Sequence, residues 1–250
     1  MHPLRRLKVE KLGDESVLHV GEESVRWRVI SKQIKVTDRD AINDATHIHA
    51  REEVPLSWAL PVDPKREEAG RFWAFFPTNT PTYVPGILNA PWKLNSDRNS
   101  VIGGEWNAIL MQEAAHLIIE SLPELATEDD PGRPLDFFPR RMERQDEIAT
   151  PLVQSLWEKI AESKLVANCT GELKLARQLW RHPTDDPKLA HLWRVLAPAQ
   201  PRAIWVHPSC LRNQRSNRLN ELGKRLEVVL GNPSLLRMPP LNWFESIATN

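Results

Sequence analysis

The sequence predicts an α+β fold, because strand periodicity dominates the first part of the chain and helix periodicity appears further on. From Ser16 to Val36 apolar residues alternate with polar ones, with Val25, Trp27 and Val29 on one face. From Gly104 to Leu122 apolar residues instead recur at spacings of three and four. The 21 prolines cluster between such segments and mark the breaks between regular elements.

The elements before residue 78 are predicted to be mostly strands. The alternating segment predicts a hairpin with its turn near Gly21. The polar residues 36–51 favour helix or irregular structure over strand. A short strand bounded by prolines is predicted from Val54 to Val62, and the aromatic run from Gly70 to Pro77 predicts a strand in the core.

The clearest predicted helix begins after Gly103-Gly104 and ends at Pro123, because the residue before a proline disfavours helical backbone. Beyond it, periodicity and turn residues predict a helix from Thr150, a hairpin over Leu165–Leu175 turning at Thr170-Gly171, a helix over Asp186–Leu196, a strand over Ala203–Val206 and a helix over Leu219–Leu230.

Residues 127–149 combine mixed charge with several prolines and predict a loop or linker. We therefore expect an α+β domain over residues 1–126 and a smaller α/β part over residues 150–250.

The balance of charge excludes a whole-chain electrostatic attraction for polyanions. Lys and Arg total 33, Asp and Glu total 33, and the formal net charge is 0. The hydrophobic content of 41% is typical of chains that fold around a core. Any function driven by charge must therefore be local.

Targeting and cysteine patterns predict a cytoplasmic protein. No apolar run is long enough to span a membrane, and charged residues recur through Glu23, so no signal peptide is predicted. Cys169 and Cys210 have no CxxC spacing, which is typical of structural thiols in a reducing compartment.

Motifs for independent catalysis or metal binding are weak. Walker, GxGxxG, GxSxG and HExxH patterns are absent. His47 and His49 have a spacing that can bind a metal on a strand, but without an obvious third ligand surface histidines are the better interpretation. The acidic segment after His182 is typical of a turn that caps a helix. No metal site is predicted, and an enzyme built on these histidines or on His191 has little support.

The region from Arg202 to Arg237 is locally basic, with seven Lys or Arg against two Glu. Arg212, Arg215 and Arg218 are three residues apart, so they share a face of a helix that begins early enough and could contact phosphates. The competing interpretation is a solvated basic face balanced by the acidic stretch from Glu120 to Asp130.

A second possible phosphate contact precedes the predicted helix at residue 104. Arg98 lies in the polar turn Asn95–Ser100, where an exposed guanidinium could present its planar fork to a phosphate. Backbone N–H groups of the turn or of the helix start would assist. The alternative is an arginine that pairs with Asp97 or Glu105.

The order of residues over 70–126 resembles a known family. The matching pieces are Phe76-Pro77, Pro85-Gly86, Leu88-Asn89-Ala90, Ser96-Asp97-Arg98 and Trp106-Asn107. In this order they resemble the segment that follows the ATP-binding domain in sacsin-like proteins and in bacterial proteins with a heat-shock-chaperone-type ATPase domain. Trp27 in an alternating strand also fits the pattern.

The resemblance implies the transducer, or middle, domain of GHKL ATPases, with a mixed sheet and packed helices. Arg98 would then contact the γ-phosphate of ATP, and Asn95, Ser96, Asp97 and Asn107 would lie near the nucleotide. The chain lacks the motifs of the ATP site itself, so ATP and Mg²⁺ would be held by an ATP-binding domain in the same or another chain, and this chain would bind no cofactor alone. Protein clients or a second copy are further possible partners, and a membrane is not.

The alternative expectation is a nucleic-acid-binding or defence-associated module that uses Arg212, Arg215 and Arg218.

Overall fold

The structure, a computed structural model, consists of two compact units. The first comprises Met1–Glu120 and Pro139–Leu156, and the second comprises Ser121–Phe138 and Trp157–Asn250. The sequence-based boundaries at residues 126 and 150 stay a prediction. The structure describes residues 7–12, 15–20, 23–45, 53–62, 70–142, 147–183, 186, 188, 191, 195, 204–230, 238 and 240–248.

A mixed sheet of seven strands forms the first unit. The strands are β1 (Leu7–Leu12), β2 (Glu15–Val20), β3 (Glu23–Lys35), β4 (Glu53–Pro61), β5 (Arg71–Ala74), β6 (Phe76–Pro81) and β7 (Ile87–Asn89). Their order in the sheet is β1-β2-β3-β4-β7-β5-β6. Only β5 and β7 pair in parallel, and all other neighbours are antiparallel. The expected α+β class with a mixed sheet is confirmed.

The predicted hairpin at the start of the sheet is present, since Val20 pairs with Glu23 between antiparallel β2 and β3. Its turn near Gly21 lies outside the described residues.

The α-helices whose bounds the structure describes are α1 (Arg39–Ala45), α2 (Glu105–Ser121), α3 (Thr150–Glu162), α4 (Gln214–Leu230) and α5 (Pro240–Ala248). None of the helices that the structure describes is long and apolar enough to cross a membrane.

One face of the sheet carries the core of the first unit. Alternate residues of β4 are buried, because successive side chains of a strand point to opposite faces: Val54, Leu56, Trp58 and Leu60. Lys32 on β3 pairs with Leu56 and forms an ion pair of 3.9 Å with Glu113 of α2. Helix α2 therefore lies over this face, and its apolar stripe is buried as the spacing predicts.

The aromatic run at 72–76 is only partly in the core. Phe72 is buried edge-on against Trp92, with ring centroids 4.8 Å apart. Phe75 and Phe76 are 68% and 79% exposed. The prediction that the whole run is core is wrong, because the chain turns between β5 and β6 at Phe75, which has a φ of 63°.

The second unit contains the predicted hairpin, formed by β8 (Lys164–Ala167) and β9 (Leu173–Leu175). Gly171 turns it with a φ of 84°, a conformation that favours glycine. The predicted strand at 203–206 is reduced to single bridges from Trp205 and Val206. The predicted helix at 186–196 falls mostly outside the described residues.

Candidate functional site

The turn that carries Arg98 is built around the side chain of Asn95. Its Oδ1 accepts hydrogen bonds from the backbone N–H groups of Asn99 (3.1 Å) and Ser100 (3.2 Å). The backbone N–H of Arg98 donates to the carbonyl of Asn95 (3.0 Å). Arg98 itself has a φ of 56°, a left-handed conformation that costs a non-glycine residue about 1–2 kcal/mol. Such a residue persists because its surroundings hold it there.

The same turn is attached to the edge of the sheet. The backbone N–H of Asn79 on β6 donates to the carbonyl of Asn99 (2.7 Å), and the N–H of Val101 donates to Thr80 Oγ1 (2.9 Å). The segment containing Arg98 therefore covers part of the outer edge of β6. Both hydrogen bonds join β6 to the C-terminal end of the turn.

Arg98, Ser96 and Asp97 are exposed on this turn. Among the described residues, neither Asp97 nor Glu105 forms an ion pair with Arg98. The guanidinium is thus carried by a fixed backbone and faces solvent.

Asn107 holds the backbone just after the turn. It is buried, and its Nδ2 donates to the carbonyls of Lys93 (2.8 Å) and Ile102 (2.7 Å), while its Oδ1 accepts from the Lys93 N–H (2.8 Å). The resemblance places Asn107 near a nucleotide. In the structure its amide is engaged by backbone groups, so it positions the chain on either side of the turn.

The N-terminus of α2 is occupied by a carboxylate of this chain. Asp44, at the end of α1, accepts a hydrogen bond from the Trp106 N–H through its Oδ2 (3.2 Å). Lys93 Nζ donates to the carbonyl of Asp44 (2.7 Å) and also to its carboxylate. The hydrogen bond from Lys93 is the main reason that the pKa of Asp44 lies below its usual value.

Gly104 allows this carboxylate to approach the helix. It has a φ of 141°, and a Cβ at this position would lie 2.3 Å from Asp44 Oδ2. Sequence reasoning missed Asp44 and Lys93, and the Gly103-Gly104 pair is the one local signal of a close approach at this helix start.

The sequence predicts that backbone N–H groups of the turn or of the helix start assist Arg98 in binding a phosphate. Several of these N–H groups already donate hydrogen bonds within the chain. The amides of Arg98, Asn99 and Ser100 are bound to Asn95, and the amide of Trp106 is bound to Asp44. A phosphate approaching the turn would meet the Arg98 side chain.

The arginines of the second candidate site have different environments. Arg212 is exposed, whereas Arg215 and Arg218 are buried. Arg215 donates to Asp136 Oδ1 (2.7 Å) and to Asp130 Oδ2 (2.7 Å). Arg218 donates to the carbonyl of Leu135 (3.0 Å).

Burial opposes the charge of Arg215, but its hydrogen bonds to Asp130 and Asp136 outweigh this effect and raise its pKa. The Arg215 hydrogen bond in turn lowers the pKa of Asp130. This cluster binds α4 to the segment around the 3₁₀ helix Arg133–Phe137. The three arginines do not form one exposed face, because two of them bind groups of the segment that the sequence predicts to be a linker.

The remaining candidates are the histidines and the cysteine thiols. His47 and His49 lie outside the described residues, His191 is exposed, and His182 is buried between aromatic rings. Within the described part of the chain, no cluster of three potential metal ligands occurs. Cys210 is buried, and this burial raises its pKa to about 12, so its thiol is not reactive at neutral pH.

Comparisons of the sequence with protein-family models, with curated proteins and with solved structures find no match.

Proposed function

We propose that this chain is the non-catalytic transducer segment of a sacsin-like or chaperone-like ATPase, in which Arg98 contacts the γ-phosphate of a nucleotide held by a neighbouring ATP-binding domain. The proposal starts from the resemblance over residues 70–126. In this role the chain couples the state of the bound ATP to a change of conformation. ATP and Mg²⁺ belong to the neighbouring domain.

The observation that carries the proposal is the geometry of Arg98. The guanidinium is exposed, and its turn is held by hydrogen bonds to the Asn95 side chain and to β6. The backbone of the turn therefore needs little reorganisation when Arg98 contacts a ligand. The guanidinium is always charged and donates in a planar fork that matches phosphate oxygens. An arginine supplied from outside an ATP site can stabilise the charge of the transferred phosphoryl group.

The Asp44 carboxylate at the start of α2 limits how a phosphate can bind near Arg98. Asp44 would repel a phosphate placed on the N-terminus of α2. The proposed contact therefore runs through the side chain of Arg98 and not through helix amides.

The test uses the ATPase that contains or recruits this chain. Arg98→Ala is expected to lower ATP turnover by at least tenfold, since an arginine of this kind contributes about 10³–10⁵ in rate. Arg98→Lys is expected to restore little, because lysine lacks the fork. Arg71→Ala, at an exposed arginine of β5, is the matched control and should leave turnover unchanged.

Circular dichroism of each variant should match the wild type. Unchanged turnover in Arg98→Ala would remove the proposed role of Arg98. Tight binding and hydrolysis of ATP by the 250-residue chain alone, measured by calorimetry and an ATPase assay, would refute the assignment of the nucleotide site to another domain.

A further inference from the structure

The indole side chain of Trp243 attaches helix α5 to the second unit. Trp243 is 6% exposed, whereas its neighbours Leu241 and Phe244 are 68% and 61% exposed. Just before the helix, the Met238 N–H donates to the carbonyl of Arg181 (3.0 Å). Among the side chains of α5 that the structure describes, residues 240–245, Trp243 is therefore the one that packs into the second unit.

The group that receives Trp243 is the imidazole of His182, which is 5% exposed. Its ring stacks on Trp205 with centroids 4.4 Å apart and an interplanar angle of 10°. The ring of Trp243 meets it edge-on, and Trp243 Nε1 lies 3.0 Å from His182 Nδ1.

This geometry requires a neutral imidazole. The indole N–H can only donate a hydrogen bond, so Nδ1 of His182 must offer a lone pair. A protonated imidazole carries N–H on both nitrogens and would place one donor against another.

We propose that His182 is a pH-sensitive latch for helix α5: protonation of its Nδ1 breaks the hydrogen bond from Trp243 and releases the helix. The inference is independent of the proposed ATPase role. Unprotonated His182 holds the helix at neutral pH, and release at lower pH exposes the indole together with the apolar side chains of Leu241 and Phe244.

Among the described residues of the neighbouring segments, the titratable groups are Arg181, Cys169, His207 and Glu245. Arg181 precedes His182, and its guanidinium donates to Ser216 Oγ of α4 (2.9 Å). Cys169 contacts the Val206 carbonyl through its thiol (3.5 Å), and His207 Nδ1 is engaged by Ser209. Glu245 is exposed on α5.

Hydrogen exchange of the whole chain between pH 5.0 and 7.5 tests the latch, with rates corrected for intrinsic exchange. Histidine titrates near pH 6.5, so protection of residues 240–248 should fall by up to about tenfold per pH unit below that value. Peptides of α2 report any general effect of acid and should keep their protection.

Three variants separate the latch from simple packing. His182→Gln retains a hydrogen-bond acceptor that does not titrate, so α5 should stay protected at both pH values. Trp243→Phe keeps an aromatic ring without the N–H, so α5 should be less protected at pH 7.5 and lose its pH dependence. His116→Gln, at an exposed histidine of α2, should behave as the wild type.

Equal protection of α5 at pH 5.0 and 7.5 in the wild type would overturn the proposal. So would the same pH dependence in Trp243→Phe as in the wild type, even if His182→Gln fails to fold.

Discussion

Replacing Arg215 with methionine should destabilise the second unit by about 3 kcal/mol. The guanidinium donates to two carboxylates and to the carbonyl of Ser209 (3.1 Å). Hydrogen bonds to charged groups contribute roughly 1.5–3 kcal/mol each. The side chains of Asp130 and Asp136 are 31% and 36% exposed, so water would partly replace the arginine and the lower value applies to each. Two such bonds give about 3 kcal/mol, while methionine preserves much of the apolar stem.

Because the chain has two units, a single unfolding midpoint is a poor measure, and hydrogen exchange of α4 and of residues 133–137 is the suitable assay. A loss of about 3 kcal/mol corresponds to roughly a hundredfold loss of protection. Arg212→Met, at an exposed position three residues earlier, should change protection by less than about 0.5 kcal/mol. A double-mutant cycle of Arg215→Met with Asp136→Asn measures the coupling directly.

A loss below about 0.5 kcal/mol in Arg215→Met would refute the reasoning. An increase in the stability of the second unit would show that the desolvation of Arg215 costs more free energy than its interactions with the two carboxylates contribute.

Three further changes test the first unit. Asn107→Ala should lower the free energy of unfolding of the first unit by about 3 kcal/mol, as measured by hydrogen exchange of α2, because it removes three hydrogen bonds and leaves partly buried backbone groups of Lys93 unsatisfied. Phe75→Gly should slightly increase the hydrogen-exchange protection of β4 and α2, since glycine relieves up to about 1 kcal/mol of left-handed strain, and lower protection would contradict this. Asp44 has a depressed pKa when folded, so its stabilisation is present above about pH 4 and is lost as the pH falls further. The hydrogen-exchange protection of α2, corrected for intrinsic exchange, should therefore depend less on pH between 5 and 3 in Asp44→Asn than in the wild type.

The elements that sequence alone predicts well are those whose signal is local. The three- and four-residue spacing over 104–122 matches α2, and alternation over 54–62 matches β4, because one buried face imposes the period of the element. The turn at Gly171 is also local, since it depends on the backbone freedom of one residue.

The interactions that sequence reasoning missed join residues far apart in the chain. Lys93 and Asp44 are 49 residues apart, and Arg215 and Asp130 are 85 residues apart. A single sequence does not identify which distant residue a charged side chain will pair with. The prediction that the aromatic run at 72–76 is buried was wrong for a related reason. Hydrophobicity predicts burial, but the position of the turn at Phe75 decides which rings reach the core.

The contrast between Arg98 and Arg215 decides which arginine is available to a ligand. Arg215 has its donors committed to two carboxylates and a carbonyl, so a nucleic-acid phosphate would have to displace internal partners before binding. Arg98 lies on a turn whose backbone amides are already bound within the turn, which leaves its exposed side chain as the group that can act without unfolding anything. Of the arginines that the sequence singles out in these two regions, Arg98 and Arg212 are the exposed ones, and only Arg98 is shown on a turn held by hydrogen bonds to the Asn95 side chain and to β6. That fixed backbone is the reason to test Arg98 before the basic region of α4.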